Sequence, residues 1–272
     1  MRLIIFLCFG FLSLNAFAAE RIVSLKPNLT EILFDLGQGD KLVGVTTYCD
    51  EPKEAQKIPK VADYIHINTE KLLLAKPTRV FASEENSLEK EIQFIRSHGI
   101  PVFVYPFGRL DSLKQSILEM GNALGVASKA YALIGGLNGS IKEIRESLKN
   151  KSISPQIMVI VGVNPLVVVG SQNIIDDVLS SLDLGNVYRT SSARYPTVNI
   201  EDVLMKSPDI IFDLSMGDEE KTKKEHWEWL SHYQSIPAVK NKRYHVLNIR
   251  DFRPAPSLVR GLKDLQKYLL SL

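Results

Sequence analysis

Residues 68–81 read NTEKLLLAKPTRVF, and residues 199–212 read NIEDVLMKSPDIIF. Without a gap, both follow Asn-x-Glu-x-apolar-Leu-apolar-x-x-Pro-x-x-apolar-Phe. The pattern is physically legible. Asn68 and Asn199 are placed to cap a helix, their side-chain oxygens taking backbone N–H groups that the first turn leaves unpaired. A short apolar helix follows. Pro77 and Pro208 stop it, because proline bars its predecessor from helical geometry. A buried strand comes next, residues 79–82 in one copy and 209–212 in the other. One supersecondary unit used twice predicts two similar lobes. Glu70 and Glu201 fall at the same place in each first turn, where the helix dipole favours a carboxylate.

Outward from the first copy, short apolar strands alternate with amphipathic helices. Strands are expected at 22–25, 42–45, 80–82 and 102–105. Asn28 and Glu31 match a capping box for a helix whose apolar face is Leu29, Ile32, Leu33 and Leu36, closed by Gly37. Further helices are expected at 88–98 and 111–124. Such alternation implies βαβ units and parallel sheets. From about Ser128 to Lys149, Tyr131, Ile134, Leu137, Ile141, Ile144 and Leu148 recur at helical spacing. Gly135, Gly136 and Gly139 weaken this helix locally, so tertiary contacts are expected to hold it. After Pro155 the pattern resumes, with strands at 157–161, 167–169 and 244–247 and helices at 174–182, 223–230 and 257–270. The fold class read from this is α/β: two Rossmann-like lobes with mainly parallel sheets, joined by one long rigid helix. The expected divisions are a leader at 1–18, an N-terminal lobe at 19–126, a connecting helix at 127–151 and a C-terminal lobe at 152–272.

The leader has the three parts of a secretory signal: Arg2, the apolar run from Leu3 to Leu14, and the small-x-small site Ala16-Phe17-Ala18. Export to the periplasm is expected, with a mature chain starting at Ala19. The full sequence carries 24% charged residues and a net charge of +2, without the basic stripe of a nucleic-acid binder. Cys8 leaves with the leader, so Cys49 cannot form an intramolecular disulfide. It reads as a small residue packed beside a loop. The run from Asp218 to Glu225 is mixed in sign and reads as a solvated face.

Catalytic signatures are absent. No G-x-G-x-x-G follows a strand, and there is no phosphate loop or nucleophile elbow. The five histidines show no dense ligand spacing. His98, just before Gly99, suits a helix C-terminus; His66 is the one histidine in a loop where a ligand role is considered. Trp227 and Trp229 read as packing residues. In open α/β sheets, ligands bind beyond the carboxyl ends of strands. Loops in that place hold aromatic and polar groups: 46–52, 62–66, 192–196 and 250–256. If the lobes face each other, Tyr48 and Tyr64 come from one side, Tyr195 and Arg253 from the other. Aromatic faces with a few placed polar groups suit a flat or bulky organic ligand.

The stretches Arg21–Glu31, Val43–Pro52, both copies of the repeat and Tyr195–Val198 resemble the periplasmic cobalamin-binding proteins of bacterial ABC importers. These are a branch of the helical-backbone class III solute-binding proteins, and the resemblance covers nearly the whole mature chain. It implies a monomer that performs no catalysis, needs no cofactor or metal of its own, and carries a small molecule between its lobes. Tyr48, Asp50, Tyr64, Tyr195 and Arg253 are the ligand-binding residues it implies. It also gives Glu70 and Glu201 a role, as the acidic contact from each lobe to the membrane permease. The sequence departs from cobalamin-binding relatives, which tend to have large aromatics at positions matching Ser83 and Val167 or Val168, and Trp in place of Tyr64 and Tyr195. A less aromatic cleft is therefore expected. Cobalamin or a related corrinoid is the first reading, haem or an iron–siderophore the second, and a secreted α/β enzyme the third.

Overall fold

A computed structural model describes residues 19–63, 66–84, 89–216 and 219–272. The predicted leader, Tyr64 and the predicted helix start at Leu88 lie outside the described residues.

The first lobe runs β1 (Ile22–Ser24), α1 (Pro27–Asp35), β2 (Leu42–Thr46), β3 (Lys60–Ala62), α2 (Thr69–Leu74) and β4 (Arg79–Ser83). It continues with α3 (Glu89–Ser97), β5 (Val102–Tyr105) and α4 (Leu110–Ala123). Then comes α5 (Ala127–Asn150). The second lobe runs β6 (Gln156–Val163), β7 (Leu166–Val168), α6 (Ile174–Ser181), β8 (Gly185–Asn186), α7 (Ile200–Lys206) and β9 (Ile210–Asp213). It ends with α8 (Glu219–Leu230), α9 (Pro237–Lys240), β10 (Tyr244–Val246) and α10 (Leu258–Leu270). The first sheet has the order β3-β2-β1-β4-β5 and is parallel throughout. The second has the order β10-β9-β6-β7, with β8 also on β6; only β7 runs antiparallel.

Both repeat copies fold alike. Asn68 accepts from the Lys71 N–H at 2.9 Å, and Asn199 from the Asp202 N–H at 2.8 Å. Lys76 (φ 46°) and Ser207 (φ 45°), each just before its proline, take the left-handed conformation that turns the chain into its strand. The strands then alternate faces as the two-residue period requires. Phe81 and Phe212 bury on one side, Val80 and Ala82 or Ile211 on the other. The second strand starts one residue later than expected, at Ile210, and Asp209 joins Gln156 just before it: its N–H donates to Gln156 O and its carboxylate accepts the Gln156 N–H.

The Phe81 and Phe212 faces belong to one continuous core. Leu137, Ile141, Ile144 and Leu148 of α5 belong to it, with Leu29 and Leu33 of α1 and Leu262 and Leu265 of α10, and α5 packs directly on α4 and α10. At 1.5 Å per residue, the 24 residues of α5 span about 36 Å. Shared burial along the helix therefore stiffens the joint between lobes. Each lobe also has an outer core of its own, on the far face of its sheet.

Two expectations are corrected. Asn28 and Glu31 do not form a capping box: α1 starts earlier, after Lys26, with Pro27 in its first turn. Proline suits that place because its φ is already helical and it has no N–H to leave unpaired. Glu31 turns elsewhere, as described below. Tyr131 is 63% exposed and does not join the apolar face of α5. The tertiary contacts expected to hold α5 are present, through its packing against α4 and α10, while its glycines face open space: a Cβ built on Gly135, Gly136 or Gly139 finds no atom within 4 Å.

Candidate functional site

The carboxyl ends of the strands in both sheets face a cleft between the lobes, and short local devices fix its walls. After β2, Cys49 is buried, with Sγ 3.1 Å from Thr30 Oγ1 and 3.2 Å from Thr46 Oγ1. That pins the loop and leaves Tyr48 and Asp50 on the cleft side. After β7, Gly170 donates its N–H to Arg194 O at 2.9 Å, and a Cβ there would stand 2.2 Å from Ala193 O. Only a residue without a side chain lets the 192–196 loop lie so close. Asn173 Nδ2 holds the same Arg194 carbonyl at 3.0 Å. After β9, buried Asp213 accepts from Tyr244 Oη and contacts His226 Nδ1, both at 2.6 Å, and takes the Ser215 N–H at 2.8 Å. Burial first, and then the Asp213 charge, push the Tyr244 phenol well above its ordinary range.

Two adjoining hollows result. One, of about 400 Å³, is walled by Phe107, Val161, Val167, Leu214 and Phe252, with Arg194 and Tyr195 at its edge. The other, of about 300 Å³, is lined by Tyr48, Asp50, Ser215, Met216, Asn248 and Arg250. Ile249 and Arg253 line both. Tyr48 and Tyr195 are 53% and 49% exposed. Arg194 reaches across from the second lobe to Gly108, where a Cβ would stand 3.0 Å from its Nη1. Its guanidinium forms no ion pair or hydrogen bond among the described residues.

Charged contacts tie the lobes together on both flanks of this cleft. Arg253 Nη1 donates to Asp50 Oδ1 at 2.8 Å and to Glu31 Oε1 at 3.2 Å, while Ser257 Oγ donates to Glu31 Oε2. Arg250 Nε lies 3.3 Å from Asp50 Oδ2. Burial dominates at Glu31 and raises its carboxyl above the usual range, against the pull of Ser257 and Arg253. Burial also opposes the charge of Asp50, but Arg253 and then Arg250 outweigh it, and its carboxyl falls below the usual range. On the other flank, Arg109 makes two bonds of 2.7 Å to Asp177, which also accepts the Leu110 N–H at 2.9 Å.

The structure thus brings Tyr48, Asp50 and Arg253 together in one hollow, and Tyr195 and Arg253 in the other. Tyr64 lies outside the described residues. Ser83 and Val168 are buried, whereas Val167 lines one of the hollows. Trp227 packs on Tyr244, and Trp229 on Tyr233. His98 Nδ1 lies 2.9 Å from Phe94 O at the end of α3, and His66 is exposed. Among the described residues, no three His, Cys, Asp or Glu side chains come together as a metal site. Nothing in the sequence signals the Arg109–Asp177 pair; Arg194 lies in the 192–196 loop but is not singled out within it, and Glu31 reads there only as a capping residue.

Glu70 and Glu201 both lie in exposed first turns, one per lobe. Neither makes an ion pair or a side-chain hydrogen bond among the described residues. No helix among those residues is long and apolar enough to cross a membrane.

A family model described as periplasmic binding protein matches residues 22–248. A vitamin B12-binding protein of Vibrio parahaemolyticus is 25% identical over 269 residues, covering 97% of this chain and 94% of that one. Among solved structures, the periplasmic vitamin B12 binding protein BtuF of Vibrio cholerae is 27% identical with a TM-score of 0.77, over 93% of this chain and 97% of that one. A possible iron-binding periplasmic solute-binding protein from Staphylococcus epidermidis is 28% identical with a TM-score of 0.82, over 92% and 98%.

Proposed function

This chain belongs to the periplasmic binding protein family, and from that premise we propose that it captures cobalamin or a related corrinoid for an ABC importer. In this reading its leader exports it, it binds the ligand between the lobes as a monomer, and it delivers that ligand to the membrane permease. The observation that carries the ligand reading is the cleft itself. Aromatic and aliphatic walls suit a bulky, largely apolar molecule. The uncommitted guanidinium of Arg194 suits an anionic group on that molecule. Tyr48, Asp50, Tyr64, Tyr195 and Arg253 are the proposed contacts. The similarity to proteins named for vitamin B12 supports the corrinoid among ligands of this kind.

An iron chelate or haem is the second reading, favoured by the similarity to the Staphylococcus epidermidis protein. Calorimetric titration of the mature protein with cyanocobalamin, haemin and several ferric siderophores separates the two. Micromolar or tighter binding of a corrinoid is expected. Tight binding of haemin or a siderophore, with none of any corrinoid, moves the assignment to the second reading.

Glu70 and Glu201 are the proposed permease contacts. Exposed ion pairs contribute about 0–1 kcal/mol each, so the Glu70→Ala/Glu201→Ala double variant should weaken docking more clearly than either single change. Ligand affinity should stay intact. Docking as tight as wild type in the double variant counts against this role.

A further inference from the structure

The repeated phrase has a third apolar position, and it is not part of either core. In α2, Leu72 is fully buried and Leu73 half-buried, but Leu74 is 72% exposed. In α7, Val203 is fully buried and Leu204 half-buried, but Met205 is 77% exposed. The gapless alignment of the two copies pairs Leu74 with Met205. Each stands four residues after the repeated carboxylate. Residues four apart are neighbours on a helix surface, so Glu70 lies beside Leu74, and Glu201 beside Met205.

Apart from the carboxylates, the other repeated positions have folding roles. The asparagines cap, Leu72 and Val203 fill the outer cores, Lys76 and Ser207 turn the chain, and Phe81 and Phe212 fill the shared core. One exposed leucine needs no explanation. A large exposed apolar side chain in both lobes, at the same place beside a carboxylate with no partner among the described residues, is a repeated surface.

We propose that Leu74 and Met205 are the apolar anchors of a two-point docking surface, and that its occupant is the membrane permease. The inference rests on the docking role proposed for Glu70 and Glu201. Charge complementarity names the occupant's chemistry: two such carboxylates call for two cationic side chains. Repetition names its form, since a partner with two like halves meets each lobe with the same contact. At each point, a basic side chain takes the carboxylate and an adjacent apolar recess takes the leucine or methionine. Covering the apolar group excludes water from the charge pair, which strengthens the pair as the contact closes.

The test uses the full exported chain in its own host, with a benzophenone amino acid placed singly at positions 70, 74, 201 and 205. Tyr131, exposed on α5, is the comparison position. After irradiation, adducts are identified by mass spectrometry. Permease adducts are expected at both 74 and 205, at a yield well above that at 131. The permease so identified, reconstituted in nanodiscs, should bind the Leu74→Ser/Met205→Ser variant at least about tenfold more weakly than wild type. The melting temperature and ligand affinity of that variant should not change. Adducts at 70 and 201 without any at 74 and 205, or unchanged nanodisc affinity, overturn this proposal while leaving the carboxylate contact in place. No permease adduct at any of the four positions removes the docking role itself. Adducts chiefly to a second copy of the chain assign the surface to self-association and overturn the proposal too.

Discussion

Arg109 Nε and Nη2 each lie 2.7 Å from an oxygen of Asp177, forming a two-pronged grip from the first lobe onto the second. Such forked pairs fix orientation as well as distance. Arg109 is half-exposed, so solvent screens much of the attraction. Asp177 also takes the Leu110 N–H, and its loss would leave that group without its acceptor. Asp177→Ala is expected to cost about 1–2 kcal/mol. A lowered urea midpoint would register the loss, and small-angle scattering should show a wider particle. An unchanged scattering profile would mean that the other flank and α5 suffice to set the gap.

Arg253 joins two carboxylates that respond to pH in opposite ways. Burial holds Glu31 above the ordinary glutamate value of about 4.3, so its stabilising contribution is full below that pH and is lost as pH rises through the raised native value. Glu31→Gln keeps an acceptor for Ser257 and removes the titration. Urea midpoints measured from about pH 4 to 7 should therefore decline less with rising pH in the variant than in wild type.

Asp50 has the reverse sign. Burial opposes its charge, yet Arg253 and Arg250 hold it below the ordinary aspartate value of about 3.9. Its contribution is full above that pH and is lost as pH falls through the lowered native value. Asp50→Asn should cost about 1–3 kcal/mol near neutral pH, as a charged hydrogen bond is lost. Its further destabilisation by acid should be smaller than that of wild type. Equal acid slopes in the two proteins would show that Asp50 does not carry this part of the response.

The open faces of Gly135, Gly136 and Gly139 give a third kind of prediction. Alanine at each should stabilise the protein by about 0.5–1 kcal/mol through helix propensity, since no neighbour opposes the added Cβ. For a protein of this size, each kcal/mol raises the melting temperature by roughly 2–4 °C. A melting temperature lowered by any of the three would show that α5 needs local freedom there.

Local signals made much of the fold readable from sequence. Caps, prolines and two-residue alternation act over a few residues, and Asn68, Pro77 and Phe81 behave as their chemistry dictates. The cleft loops were readable for the same reason, because strand ends mark where they must lie. Failures came where a distant partner wins. Asn28 and Glu31 have the spacing of a capping box, but Glu31 finds Arg253, 222 residues away. Arg253 itself was read as a ligand contact only, and nothing near it in sequence announces Asp50, 203 residues off. Helical spacing also overcounts the core: Tyr131 and Leu74 fit an apolar pattern yet face outward.

The core that threads both lobes through α5 has a consequence for selectivity. Two bodies sharing one interior, and strapped on either flank of their gap, behave as a gauge set to a width. Recognition then becomes a sieve on molecular thickness. A guest that is too thick must rupture Arg109–Asp177 or the Arg253 contacts to enter, and one that is too thin leaves walls wetted that should be covered. Residence time follows the same logic. Any partner that speeds release must do work on those straps, so the lifetime of the loaded state depends in part on Arg109 and Asp177, which are not among the proposed ligand contacts.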